Sequence, residues 1–285
     1  MAWSYDRCEL GEVRLFKTAD LDCSRSGRRK TVFGVRLRLF LLIPAIFCKA
    51  GRVRMKTMTF EQLFDLVPNV LSEMTREFVR RGGECIDLDI TSQHTACFLL
   101  AIRSVSLLRG MEALLMPDTF DSWDVLMRAF MESRDLLLTF RFDDEATRNQ
   151  VRGWLKGKDS QAWKPKHKVC ERFLSKVGAV DSELARRWGL FSGLAHPTAL
   201  AARNSVAITA ARISIKSRPD LVMALEEKRA DFLTSIATLF ITASFEFPGW
   251  VHLGCDTDRM PTAEGFRIAA PAVALPILRR KEGKS

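Results

Sequence analysis

A chain of 285 residues with 47% hydrophobic and 27% charged positions can bury a sizeable core, which excludes intrinsic disorder for its bulk and requires no more than one domain plus appendages. The formal charge of +10 invites a nucleic-acid reading, but the excess sits at the ends: residues 1–58 hold 13 Lys and Arg against 5 Asp and Glu, residues 256–285 hold 6 against 4, and the body between holds 25 of each. The 7 cysteines are scattered without a CxxC pair and odd in number, which argues against a disulfide framework and suits free thiols in a reducing cytoplasm.

Residues 1–58 form a basic, apolar-tipped extension. Its unbroken apolar run, Leu39 to Cys48, contains Pro44 and is half the roughly 20 residues that a bilayer span takes, so no transmembrane helix is expected. Phe47 before Cys48 does not suit a signal cleavage site either. Two readings of the extension stay open: a membrane-surface or partner-binding arm, or sequence ahead of a true start at Met55 or Met58. The second is favoured because Thr59 and Gln62 follow at once with the spacing of a capping box.

From Thr59 the pattern is helical. Phe60, Leu63, Phe64, Val67, Leu71, Met74 and Phe78 recur at the 3.6-residue period, predicting a helix that kinks at Pro68 and ends at Gly82-Gly83. A short linker with Ile86, Leu88 and Ile90 leads to Ser92, which caps a second helix running to about Met116. That helix is apolar on two faces and is therefore expected at the centre. Pro117-Asp118 resets the chain, and a third helix is predicted from about Phe120 to Phe142. Leu126, Phe130, Leu137 and Phe140 form its buried stripe, while Arg128 and Glu132, four apart, read as a surface pair.

Residues 144–178 change character. Arg148, Arg152, Lys156, Lys158, Lys164, Lys166, Lys168, Arg172 and Lys176 face only Asp159 and Glu171, Glu145 lying just before the run, with Trp154 and Trp163 among them. Such a run can hold phosphates and stack bases, with Arg152, Lys156, Lys164, Lys166 and Lys168 as the candidate nucleic-acid contacts. The plainer reading is a solvated helix face with its Trp residues turned to the core.

Asp181 caps a further predicted helix that ends in WGLFSGLAHP, where Pro197 forbids continuation through His196. Residues 205–216 fit a strand or a helix. Pro219-Asp220 opens a long helix that stops at Pro248-Gly249. Residues 251–285, rich in Pro and Ala, read as a flexible tail. The expected fold is all-α: a single multi-helix, bundle-like domain over residues 59–250 with extended N- and C-terminal segments.

The chemistry in this pattern is sparse. Ser192 and His196 lie one helical turn apart, but the string GLFSG lacks the G-x-S-x-G elbow and no third member of a triad is evident. His-x-x-Cys occurs at His94/Cys97 and at His167/Cys170, and two such pairs could ligate zinc. One lies on an apolar helix and the other on a basic face, and Cys is a common core residue, so no metal or cofactor is expected. Phosphate loops, dinucleotide-binding glycines, HExxH and EF-hand patterns are absent from the sequence. The polar set Arg128, Glu132, Ser192 and His196 is the candidate catalytic group. In it His196 would act as acid or base near neutral pH against a carboxylate, or else fix a helix junction.

Leu126 to Glu132 resembles the L-x-R-x-x-x-E helix, and Leu190 to Pro197 the L-S-x-x-x-H-P turn, of a bacterial all-helical family that has no assigned activity. The likeness covers roughly residues 60–247 and implies fold more than function. That family's design is in turn similar to HEPN domains, many of them ribonucleases of toxin–antitoxin and phage-defence systems. Their motif places four to six residues between Arg and His. In this chain eight residues separate Arg187 from His196, so the resemblance implies that Arg128 would supply the positive charge from another helix. Two functional expectations result: a non-enzymatic, cytoplasmic interaction or regulatory module, dimeric or bound to a partner protein; and, as the alternative, a HEPN-like ribonuclease acting on RNA through His196 and Arg128.

Overall fold

The computed structural model describes residues 58–88, 92–157, 166–176, 218–244 and 255–279, together with residues 191, 194, 202–203, 206–208, 250–251 and 253. Among these residues the structure is almost wholly helical, with no strand beyond one isolated antiparallel bridge between Phe142 and Trp250. The helices are α1 (Phe60–Leu88), α2 (Gln93–Ala113), α3 (Phe120–Phe140), α4 (Glu145–Leu155), α5 (His167–Lys176), α6 (Arg218–Ser244) and α7 (Pro261–Arg279). They pack against one another as an all-α assembly in which α2 touches α1, α3, α4 and α6. Its place at the centre follows from its two apolar faces.

α1 begins with the expected capping box: Thr59 N–H donates to Gln62 Oε1 at 2.9 Å, and Gln62 N–H donates to Thr59 Oγ1 at 3.3 Å. Leu63, Val67, Leu71, Met74 and Phe78 are buried along it. α1 does not end at Gly82-Gly83 but continues to Leu88. The glycine serves packing instead of termination. A Cβ on Gly82 would lie 1.8 Å from Cζ of Phe98 on α2, whereas one on Gly83 would meet nothing within 4 Å. Gly82 therefore lets an aromatic ring of α2 rest directly on the α1 backbone.

α2 starts at Ser92, whose hydroxyl accepts from Thr95 N–H at 3.1 Å. Gln93, buried beside it, donates through Nε2 to the carbonyls of Phe140 and Phe142, which satisfies the otherwise orphaned C-terminal end of α3. In the ambiguous 205–216 stretch, residues 206–208 are helical.

α6 is enclosed along half its length, every residue from Asp231 to Ala243 being buried. Such a helix must satisfy its own polar side chains, and it does so locally. Thr234, Ser235 and Thr242 each donate to the carbonyl four residues back, at 2.7–2.9 Å, and Thr238 to the one three back, at 2.8 Å.

Within the segment read from composition as a flexible tail, residues 251–285, Pro261–Arg279 is instead a packed helix. Ala263, Phe266, Ala270, Ala274 and Leu278 recur at three- and four-residue spacing and are buried against α6 and α1. The alanines leave room for close approach, and Pro261 occupies the first helical position, where its missing N–H costs nothing. Two carboxylates of α1 hold this segment in place. Glu73 Oε2 accepts from Ala263 N–H at 3.0 Å in the first turn of α7, and Glu77 Oε1 accepts from Asp256 N–H at 2.9 Å. Glu77 is 3% exposed and is also gripped by Arg80 through Nε at 2.8 Å and Nη2 at 2.5 Å. Burial pushes its carboxyl pKa up, but the Arg80 and Asp256 hydrogen bonds and the charges of Arg80 and Arg259 outweigh that and hold it below the ordinary value.

Two outcomes are expected from unfolding measurements. Gly82→Ala overpacks the Phe98 contact and lowers stability in urea by about 1–3 kcal/mol, whereas Gly83→Ala raises it by up to about 1 kcal/mol; equal effects would show that the glycine contact is not tight. Glu77→Gln costs about 1.5–3 kcal/mol at neutral pH. Because the folded-state pKa of Glu77 is depressed, its contribution is complete above the unfolded value of 4.5 and fades as pH falls through the lowered folded value. Acid titration of the variant should lack this part of the wild-type loss.

Candidate functional site

Arg128 and Glu132 form the surface pair expected of them on α3. Arg128 donates to Glu132 Oε1 through Nε at 3.0 Å and Nη2 at 2.5 Å, and the two side chains are 13% and 47% exposed. The carboxylate end of the pair is open to water, whereas the arginine is largely covered. Ser192, His196 and Arg187 lie outside the described residues, as does Lys164 of the basic run. Phe191, next to Ser192, is buried with its ring 6.3 Å from that of Trp123. Trp123 in turn lies 4.6 Å from Nζ of Lys228, which is bound at 2.5 Å to Asp124 Oδ1.

The two His-x-x-Cys pairs divide. Cys97 is fully buried while His94 is exposed. Cys170 is buried and points its thiol at the Asp135 carbonyl, 3.4 Å away. Burial first, and the Asp135 charge second, push the Cys170 thiol far above its ordinary pKa. The Cys255 thiol is pushed up to about 12 by burial and by Glu77. Thiols held neutral in this way are poor nucleophiles and poor ligands. Among the described residues, no group of three or more His, Cys, Asp or Glu side chains is placed to hold a metal ion.

His167 belongs to a different constellation, centred on Asp135 of α3. The Asp135 side chain is 1% exposed. Its Oδ1 accepts from Arg134 Nε at 3.0 Å and Nη2 at 2.7 Å, and its Oδ2 lies 2.7 Å from His167 Nδ1. Arg134 also reaches Thr238 of α6 through Nη1, at 3.4 Å. One turn along, Thr139 donates to the Asp135 carbonyl at 2.8 Å and accepts from Lys166 N–H at 2.9 Å. The first turn of α5 is thus pinned to α3 by a side-chain and a main-chain contact together. The buried carboxylate fixes the orientation of the imidazole through Nδ1. Sequence reasoning treated His167 only as half of a metal pair. Its true partner is 32 residues away, on a helix whose pattern marks Asp135 as one polar position inside an apolar stripe.

α5 and the neighbouring α4 carry the basic run. α4 is capped by Asp144, whose Oδ1 accepts from Thr147 N–H at 2.7 Å. It buries Thr147 and Val151, and it sets Trp154 edge-on to Phe140 at 5.6 Å. α5 buries Cys170, Phe173 and Leu174. The opposite sides are basic: Arg148, Arg152 and Lys156 at and just beyond α4, and Lys168, Arg172 and Lys176 on α5, are all exposed. Trp154 is half-buried against Phe140, and Trp163 lies outside the described residues.

Each set repeats every four residues, with Glu145 three before Arg148 and Glu171 three after Lys168 as the acidic residues within the two helices. Elsewhere the chain pairs opposite charges at that spacing or one residue closer: Arg80 with Glu77 and Glu84, Arg128 with Glu132, Arg267 with Glu264. On α4 and α5, four successive like-charge neighbours each cost about 0.2–0.5 kcal/mol instead. Arg148 is eased by Asp143 at 3.4 Å, and Arg152 bonds Asn149 Oδ1 at 3.2 Å. Of the expected nucleic-acid contacts, Arg152, Lys156 and Lys168 stand in these stripes. Lys166 is half-buried with its Nζ 5.6 Å from the Phe142 ring centre, so it belongs to the α3–α5 junction. Arg148, Arg172 and Lys176 complete the stripes, and the four-residue spacing was the signal for them.

Compared with known proteins, the chain matches no family model, no curated protein and no solved structure.

Asp135 and Glu132, both on α3, should respond differently to neutralisation. Asp135→Asn leaves the Arg134 guanidinium, 6% exposed, without its counter-charge and costs about 3–5 kcal/mol in urea unfolding. Glu132→Gln costs less than about 1 kcal/mol. A small effect at Asp135 would mean that the pair does not organise α5.

Proposed function

We propose that the protein is a non-enzymatic helical interaction module that binds an anionic partner through the basic stripes of α4 and α5. The observation that carries this reading is the like-charge repeat itself. Six exposed cations at four-residue spacing oppose helix stability, and a bound polyanion relieves that repulsion. The Asp135 junction supports it by holding α5 in a fixed position against α3. The buried thiols of Cys170 and Cys255, neither in a disulfide, agree with action in the cytoplasm.

The HEPN-like ribonuclease, in a toxin–antitoxin or phage-defence setting, is the second reading. It rested on His196 with Arg128, and the resemblance to the bacterial helical family leads to it. The observation in its favour is a second histidine, His167, oriented by a buried carboxylate at the start of a basic helix. Arg128 contributes little to it, being bound to Glu132.

On immobilised heparin the wild-type protein should elute at clearly higher salt than a variant carrying Arg152→Gln, Lys156→Gln, Lys168→Gln and Arg172→Gln, with the helical circular dichroism unchanged. Co-elution of the two would end the module reading. Incubation with labelled RNA separates the readings: intact RNA retires the ribonuclease, whereas cleavage abolished by His196→Ala or His167→Ala replaces the module with it.

A further inference from the structure

We infer that the anionic partner is a nucleic acid held by its phosphodiester backbone, without readout of base identity. The inference rests on the module reading and adds the chemistry of the ligand. Four residues of α-helix rise about 6 Å and advance about 40° around the axis, so each stripe is a gently winding ladder of three cations at even intervals. A sugar–phosphate chain carries its charge at similarly even intervals, one per nucleotide. Acidic protein segments carry theirs unevenly and on side chains of unequal length. The stripes mix arginine with lysine, and the guanidinium fork fits phosphate oxygens in pairs.

Two further observations narrow the ligand. A membrane surface would require apolar side chains at the rim of the basic face to enter the lipid. Among the described residues, the large exposed hydrophobic side chains, such as Val79, Leu99, Val125, Val222 and Met223, all lie outside residues 143–176. The aromatic rings closest to the stripes in sequence face inward: Trp154 packs on Phe140, and Phe173 is 6% exposed with its ring 5.3 Å from that of Trp250. Among the described residues, α4 and α5 thus present no fully exposed aromatic ring to a base, and phosphate contacts supply the affinity. Binding of that kind releases counterions, which makes it steeply salt-dependent and indifferent to sequence.

Fluorescence anisotropy with the full chain tests this, using labelled oligouridine, oligothymidine and a mixed-sequence DNA duplex as probes, with polyglutamate and phosphatidylserine vesicles as competitors. Oligouridine and oligothymidine should bind with similar affinity. For six single-strand contacts, the logarithm of the binding constant should fall with log salt at a slope near −4, a loss of roughly 250-fold for a fourfold rise in salt. Lys168→Gln with Arg172→Gln and Lys176→Gln should reduce the slope by about 2. The independent pair Arg152→Gln and Lys156→Gln should reduce it by about 1.4, so either set serves if the other fails to fold. Tight binding of the duplex also supports the inference, because it presents the same backbone. Polyglutamate or vesicles displacing the probes at equal charge, or an unchanged slope in both variants, would overturn it. If heparin is still retained in a stripe-dependent manner while no oligonucleotide binds, the module stands and the nucleic-acid inference falls. If heparin retention does not depend on the stripes, both fall.

Discussion

A carboxylate with almost no access to water, that of Asp135, is the contact on which the functional face depends. One oxygen takes the Arg134 guanidinium and the other takes His167, so a single buried charge links α3 to the start of α5 and, through Arg134 and Thr238, to α6. Burying a carboxylate is costly unless it is fully partnered. The partners therefore have little freedom: each must stay if the others are to stay buried. Such a cluster adds less to net stability than its number of hydrogen bonds suggests. What it adds is position, since α5 is only ten residues long and would not hold a helix alone in water.

Many polar groups in this interior are answered either by their own helix or by a specific neighbour, although Trp123 Nε1 and Thr147 Oγ1 are buried without a hydrogen bond among the described residues. The hydroxyls of α6 turn back to carbonyls of the preceding turn, which lets a helix with five buried Asp, Ser and Thr residues sit among apolar surfaces. Arg141, fully buried at the end of α3, donates instead outward to the main chain, to the carbonyls of Thr242 and Val251, while Val251 N–H donates to the Arg141 carbonyl at 2.6 Å. That exchange joins α3, the end of α6 and the segment leading to α7. The apolar core sets how the helices pack, and these few directional contacts set which ends meet.

Local chemistry in the sequence gave away most of the helices and little of what joins them. The Thr59–Gln62 box, the Ser92 cap and the Pro219 start are short-range signals, and each marks an observed boundary to within a residue or two. Gly82-Gly83 is a short-range signal too, yet it misled, because a glycine that admits a neighbouring ring looks in sequence like one that ends a helix. α7 was missed for a related reason: Pro271 and Pro276 are strong breakers in isolation, and only burial against α6 and α1 makes a helix through them worthwhile. The candidate site divides in the same way. The Arg128–Glu132 pair, four residues apart, was readable; the Asp135–His167 contact, spanning 32 residues, was not. The basic run was legible as composition, but the stripes became visible only once exposure separated Arg152 and Lys168 from Lys166.

The clamp between α1 and α7 has a consequence for how the chain is made. Glu73 and Ala263 are 190 positions apart, and Glu77 and Asp256 are 179 apart, so α1 waits for α7 before these acidic groups and the apolar flank that α2 leaves open are covered. α2 and α3 can dock as soon as they emerge, because their contacts are local. α1 has no such early seal on its C-terminal partner's side. Through most of its synthesis the nascent chain therefore carries an open apolar flank, the kind of surface that chaperones recognise and that aggregation exploits. Completion of α7 closes that flank, so a chain stalled short of residue 261 would be exposed to quality control even with every preceding helix already formed.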